Sequence, residues 1–317
     1  MSRNWLRRAA LVAAGAASLL LAACGSGTIE SQLAPTRIVA FGDAFADLGQ
    51  TGLRYTVYDG GTDNWTQRVA LGFGLPLVPV SAGGTSYATA HARVTLKPDA
   101  VGNSATPTVK EQIDAFLATG AIGANDLFIV NAGISDLIAE SARVAAGSET
   151  ADQMVLNARQ AGRDLADQTR RLVNAGARYV VVVGPYNLGR SPWATASAKN
   201  EMLETASGRF NDDLLVALVD LGEKVLYVDA ALQFNLMVAS PAGFDLTNSV
   251  DPVCTSVDPG PGIGIGPGEV NSGLCTPATI RAGADYKLYL FADKVYPTPK
   301  GHFKFGDYAF SRIRGRW

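Results

Sequence analysis

Short runs of β-branched and aliphatic residues alternate along the chain with longer stretches of helical periodicity. The runs are Arg37–Phe41, Leu77–Val80, Leu127–Asn131, Tyr179–Val183 and Val225–Asp229. Each is continuously apolar and only a few residues long, the pattern of a strand buried on both faces of a parallel sheet. Between them the spacing predicts helices near Trp65–Gly72, Thr108–Thr119, Ala151–Ala175, Pro192–Leu221 and Lys300–Arg314. Pro192 suits a first helical position, and Gly176 and Gly222 suit positions just past a helix end. The alternation predicts a doubly wound α/β sandwich whose ligands sit at the carboxyl ends of the strands.

One stretch breaks the pattern. Ser240–Asp285 carries the run Asp258-Pro-Gly-Pro-Gly-Ile-Gly-Ile-Gly-Pro-Gly268, which can form neither periodic element. Loops this long inside a domain are functional or disordered. Cys254 and Cys275 lie within it, 21 positions apart. No internal period of repeat-protein length recurs, so the chain reads as one domain.

Composition narrows the class. With 317 residues, 47% hydrophobic and 18% charged, the chain is an ordinary globular protein, neither disordered nor collagen-like. Arg3, Arg7 and Arg8 precede an apolar stretch, Ala9–Ala23, of about 15 residues, short of the roughly 20 that span a bilayer. Residues 1–23 therefore read as a signal peptide. The stretch ends in Leu21-Ala22-Ala23-Cys24, which looks like a lipobox, so Cys24 is expected to carry lipid; the alternative is an ordinary signal peptide with a chance cysteine. Residues 24–35 then form the lipidated cysteine and its tether, and 36–317 the domain. By resemblance to lipoproteins of Gram-negative bacteria, Gly25 after the cysteine favours the outer membrane. With Cys24 spent, Cys254 and Cys275 are an even pair in an oxidising compartment and are expected to form a disulfide, with two free buried thiols as the alternative. Closing that loop stabilises by about 3 kcal/mol through the unfolded state. The whole chain has a net charge of −2, and removal of Arg3, Arg7 and Arg8 leaves 24 basic against 29 acidic residues, or −5, which argues against a nucleic-acid partner.

The chemistry-bearing segments fall at strand ends. The first strand runs into Gly42-Asp43-Ala44-Phe45-Ala46-Asp47-Leu48-Gly49. Further blocks follow at Gly83-Gly84-Thr85-Ser86-Tyr87-Ala88-Thr89-Ala90-His91-Ala92-Arg93, at Asn131-Ala132-Gly133-Ile134-Ser135-Asp136, and at Phe291-Ala292-Asp293-Lys294-Val295-Tyr296-Pro297-Thr298-Pro299-Lys300-Gly301-His302. In order and spacing these resemble the motifs of the GDSL or SGNH hydrolases across essentially the whole mature chain. The resemblance implies a three-layer α/β/α, flavodoxin-like sandwich with a central parallel sheet of about five strands. It also implies a nucleophile at Ala44, an oxyanion glycine at His91, an oxyanion asparagine at Ser135, a triad acid at Asp293 and a general base at Tyr296. Of these five family residue types only the acid is present. Asp43, Ser86, Tyr87 and Asp136 are the candidate binding residues carried over with the blocks.

The substitutions matter chemically. Acyl transfer needs a hydroxyl activated by an imidazole that an acid holds in the right tautomer. A methyl group cannot attack, and a phenol is a poor proton acceptor at neutral pH. The backbone N–H groups of residues 44 and 91 do not depend on side-chain identity, so part of an oxyanion site would persist.

Three rescues present themselves: His302 as a replacement base, a relocated Ser135/His91 pair, and ligand contact through aromatics at the active edge (Trp65, Tyr87, Tyr186, Trp193, Tyr296), which could equally be packing residues. Asp43 and Asp136 are expected to hold loops together rather than act as an acid–base pair. Asn187 stands where relatives often carry Asp. Two distant histidines with no spare cysteine give no metal-ligand spacing. The expectation is a catalytically degenerate, non-hydrolytic ligand-binding or scaffold lipoprotein without a cofactor, anchored to the outer membrane, taking a small-molecule, acyl or glycan ligand or a protein partner. The alternative is a carboxylic ester hydrolase with a rearranged site, and a third possibility is a protein-interaction module built on the Ser240–Asp285 excursion.

Overall fold

The computed structural model describes residues 32–61, 64–119 and 122–317, so the expected leader, Cys24 and the tether up to Ser31 lie outside the described residues. Four strands, β1 (Arg37–Phe41), β2 (Asp126–Asn131), β3 (Tyr179–Val183) and β4 (Val225–Tyr227), form one parallel sheet in the order β1-β2-β3-β4. Ile38–Phe41, Leu127–Val130 and Val180–Val183 are buried, as continuous aliphatic runs require.

The expected strand at Leu77–Val80 is not one. Pro79 deprives that segment of a ladder N–H group. The flank of β1 is taken by Thr85–Tyr87 instead: the Ala40 N–H donates to the Thr85 carbonyl at 3.1 Å and the Tyr87 N–H to the Ala40 carbonyl at 2.7 Å. The fifth position of the sheet is thus an irregular rung that places the second motif beside the first.

The helices are α1 (Trp65–Gly72), α2 (Val109–Leu117), α3 (Ile134–Ala145), α4 (Ala151–Asn174), α5 (Pro192–Ala196), α6 (Asn200–Leu218), α7 (Ala230–Ala239) and α8 (Pro299–Arg316). α3, α4 and α6 pack together with α2 against α4, while α8 packs with α1 and α7, giving the two outer layers. Phe305 of α8 meets Trp65 at 5.1 Å, Phe45 at 5.4 Å and Phe234 at 6.0 Å between ring centroids, an aromatic core under the α1/α8 layer. The long helix expected at Pro192–Leu221 is broken after Ala196. Ala198 there takes a left-handed φ of 54°, and the second helical piece runs into a 3₁₀ turn, Val219–Lys224, containing Gly222. Gly176, with φ 112°, does sit just past α4.

The excursion is ordered. β5 (Asn248–Pro252) pairs in parallel with β6 (Tyr289–Phe291), and Cys254 and Cys275 are disulfide-bonded. Ile263 is fully buried, and a Cβ on Gly264 would stand 2.4 Å from the Ala100 carbonyl oxygen, so the Gly/Pro run lies tightly on the body of the domain.

Candidate active site

β1 delivers Gly42, Asp43 and Ala44 to the carboxyl end of the sheet. The Gly42 peptide is clamped by Gln112 of α2: its N–H donates to Oε1 at 2.8 Å and its carbonyl accepts from Nε2 at 2.9 Å. A Cβ on Gly42 would lie 2.5 Å from the Asn131 carbonyl oxygen, which is why only glycine fits between β1 and β2. The Asp43 carboxylate accepts from the Phe45 N–H at 3.0 Å and faces the Ser135 N–H, at the start of α3, at 3.5 Å. Burial pushes this carboxyl up to about 7. Between these groups the Ala44 methyl is 1% exposed.

His91 holds φ 65°, the left-handed conformation that glycine adopts freely and that costs other residues roughly 1–2 kcal/mol. Its Nε2 lies 2.8 Å from the Tyr55 hydroxyl, its Nδ1 has no partner, and burial pulls the imidazole down to about 4. It is neutral at physiological pH. The Ser135 hydroxyl is buried and makes no hydrogen bond, so the relocated Ser135/His91 pair is not formed.

Asp293 and Tyr296 close the site from the loop before α8. The Asp293 Oδ1 accepts from the backbone N–H groups of Val295 at 2.7 Å and Tyr296 at 2.6 Å, while Oδ2 accepts from the N–H of Ser272 at 3.2 Å and from its hydroxyl. Ser272 comes from the excursion and engages the carboxylate that a base would use. Burial raises Asp293 to about 6 and holds the Tyr296 phenol well above its ordinary range. The Tyr296 hydroxyl is fully buried without a partner, and its ring lies 5.4 Å from that of Tyr55.

Asp43, Ala44, His91, Ser135, Asp293 and Tyr296 are all buried, and contacts through Tyr55, α3 and the residue 293–296 turn join them. Tyr55 and Ser272, which cover them, lie in segments without a motif and were not read from the sequence. Asp136 faces away from this cluster into a buried network: Arg93 Nε donates to it at 3.3 Å and the Val94 N–H at 3.1 Å, while the other arm of Arg93 binds Glu140. Ser86 is buried in the rung beside β1, and Tyr87 is half-buried, stacked on Phe41 at 5.5 Å. Asn187 caps its own turn, accepting from the Gly189 N–H at 3.0 Å. The proposed aromatic binding face is corrected: Trp65, Tyr186, Trp193 and Tyr296 are interior packing residues. Among the described residues no group of three or more His, Cys, Asp or Glu is placed to hold a metal ion, and no helix is long and apolar enough to cross a membrane.

His302, the candidate replacement base, is held in the interior. It is buried in α8, stacked on Phe45 at 5.3 Å, hydrogen-bonded to the Tyr55 backbone, and pulled down to about 3 by burial. Because its folded value lies below its unfolded value near 6.5, its contribution is complete above that pH and is lost as pH falls toward 3. His302→Phe is expected to lose about 1 kcal/mol at pH 7.5 with the backbone hydrogen bond. Between pH 7.5 and 4.5 the variant is then expected to lose about 2 kcal/mol less than the parent in urea unfolding. The difference between the curves removes the opposing contribution of the buried aspartates; parallel curves would show that His302 is charged or solvated in the fold.

Comparison with known proteins fits this arrangement of blocks. The protein matches an uncharacterized protein of Pseudomonas putida, encoded between trpE and trpG, with 27% identity; the match covers 98% of the chain but 54% of that relative, so the chain spans about half its length. Similar solved structures include a lipolytic G-D-S-L protein of Veillonella parvula (11% identity, 87% of this chain and 96% of that one, TM-score 0.46) and Est24, a carbohydrate acetylesterase of Sinorhizobium meliloti (14%, 89% and 99%, 0.46). An aryl esterase of M. smegmatis in inhibitor-bound form is comparable (15%, 89% and 99%, TM-score 0.45). The model of the GDSL-like lipase/acylhydrolase family matches residues 38–309, most of the chain and all four blocks. The protein belongs to the GDSL-like lipase/acylhydrolase family.

Proposed function

We propose that the chain is a catalytically degenerate member of its family that binds a ligand or partner at the cell envelope without hydrolysing it. The observation that carries this is the Ala44 methyl at the nucleophile position, 1% exposed and without a hydroxyl that could attack, with Tyr296 in place of an imidazole base. The retained acid supports it too, since in place of a base it holds Ser272 and the backbone N–H groups of Val295 and Tyr296. No turnover of p-nitrophenyl acyl esters above a heat-denatured blank is expected; turnover would establish the alternative, a carboxylic ester hydrolase, for which family membership speaks.

The proposed place of action is the outer membrane, through lipid on Cys24, and it rests on the leader and lipobox-like sequence. Cys24→Ala is expected to move the protein from the membrane to the soluble fraction of fractionated cells. Retention of the variant in the membrane fraction would overturn the lipid anchor.

A further inference from the structure

We propose that the amino end of the parallel sheet is the face that the domain lays on an anionic phospholipid surface, so that the motif-bearing carboxyl end points away from the membrane. The proposal rests on the lipid-anchored reading of Cys24 and adds the orientation of the domain. The chain enters the domain at the amino end: Leu33 is buried, and the Thr36 N–H, just before β1, donates to the Asn125 carbonyl, just before β2, at 3.0 Å. From Cys24 to Leu33 the chain reaches at most about 30 Å when fully extended. A domain of this size is roughly 50 Å across. A lipid on Cys24 therefore cannot reach a membrane that lies against the opposite end.

What the amino end presents is basic, although the mature chain as a whole is acidic. Arg178 precedes β3, Lys224 precedes β4, and Arg312, Arg314 and Arg316 lie in the last turns of α8. All five are exposed, and among the described residues none is in an ion pair. Arg314 lies 5.9 Å over the Phe310 ring and Arg316 donates to the Gly222 carbonyl at 3.2 Å, contacts that leave both charges unneutralised. The acids of this end are engaged elsewhere, Asp126 with Arg37, Asp114 with Arg171 and Asp220 with Arg170, and Glu223 is the exposed acid among the cations. These segments meet: the Trp317 ring lies 5.3 Å from that of Tyr179, and its indole N–H donates to the Glu223 carbonyl at 2.8 Å. Where α6 ends, Val216 and Val219 stand 75% and 77% exposed. Unneutralised cations, an aromatic pair and exposed aliphatic side chains together are the composition of a surface that settles into a headgroup layer.

The test is flotation of the mature chain carrying Cys24→Ala with vesicles of phosphatidylcholine, alone or with about 30% phosphatidylglycerol. Binding to the anionic vesicles only is expected at about 20 mM salt, and its loss by about 300 mM, where screening is strong. Each cation removed should lower the partition coefficient about fivefold, so Arg312→Gln/Arg314→Gln should lower it roughly 25-fold. Arg281→Gln/Lys287→Gln, which takes the same charge from two exposed residues of the excursion, should leave it within about twofold. Val216→Ser/Val219→Ser should lower it severalfold, and circular dichroism confirms that each variant is folded. Absence of binding to anionic vesicles, or equal losses in the two charge variants, would overturn the proposal. So would displacement by inorganic phosphate beyond that by chloride of equal ionic strength, which marks an anion site and not a membrane face. Fractionation of cells in about 300 mM salt reads the lipid alone, because the face has let go. A chain that needs Cys24 for the membrane fraction but ignores anionic vesicles loses only this face; one that stays in the membrane fraction at that salt without Cys24 loses the anchor.

Discussion

Arg93→Met is expected to lower stability by roughly 3–5 kcal/mol, seen as a fall in the urea midpoint at pH 7.5. Arg93, Asp136 and Glu140 are all buried, and the guanidinium is shared between the two carboxylates. Methionine keeps most of the length and apolar packing of the arginine stem, so the loss isolates the charge. Two acids would remain in the interior with their main cation gone. Asp136 is already raised to about 6 by burial with Arg93 present, and removing the cation raises it further. A group whose folded value is raised is most costly at high pH, so acidifying the variant from pH 7.5 toward 5 should recover part of the loss. Adding Asp136→Asn and Glu140→Gln should recover more, whereas Arg209→Met, which breaks an exposed pair with Asp212, should change stability by no more than about 0.5 kcal/mol. A loss below about 1 kcal/mol in Arg93→Met, or no rescue by the neutral acids, would contradict this account of the network.

Arg93 and Asp136 belong to the family blocks, and their place in the structure separates two kinds of motif residue. The retained ones are those the fold itself uses. Gly133 has φ 120°, and a Cβ there would stand 2.7 Å from the Pro185 ring and 2.9 Å from Phe210, so α3 can start in its place only from glycine. Gly42 is required by its approach to β2, and Asp43 by the turn it holds. The missing residues are those that only chemistry uses: a hydroxyl, an imidazole and an amide. His91 is the telling case, because it keeps the backbone conformation of a glycine and fills the space above it with a ring bound to Tyr55.

Most of the sheet was legible because strands buried on both faces are continuous aliphatic runs, as in Tyr179–Val183. Leu77–Val80 shares that composition, but Pro79 interrupts it and Thr85–Tyr87 takes the edge. α7 escaped because Ala-Ala-Leu-Gln-Phe-Asn-Leu-Met-Val-Ala is apolar nearly all round, and α3 because its helix begins inside a motif without a polar cap. The blocks located the site residues, since motif order carries positions, but closure was not legible. It depends on Tyr55 and Ser272, whose partners lie 36 and 21 positions away and are brought near only by the fold. The pair Cys254 and Cys275 is the sequence's sign that the excursion is ordered, and the buried Ile263 in the middle of the Gly/Pro run carries no motif that would announce its packing.

The second large effect concerns catalysis, where loss of a nucleophile–base unit costs about 10⁶ in turnover. Ala44→Ser/His91→Gly/Ser135→Asn/Tyr296→His restores a hydroxyl, an asparagine and an imidazole beside the retained Asp293. It also removes the His91 ring and shortens residue 296, opening space above residue 44, and it relieves the left-handed strain at residue 91. The decisive measurement is the initial rate of p-nitrophenyl acyl ester hydrolysis by the soluble mature domain, beside a heat-denatured blank, the fourfold variant and Ser135→Ala. The parent is expected to match the blank and the fourfold variant to exceed it. Parent turnover above the blank that disappears in Ser135→Ala would contradict a degenerate site and establish a relocated hydrolase.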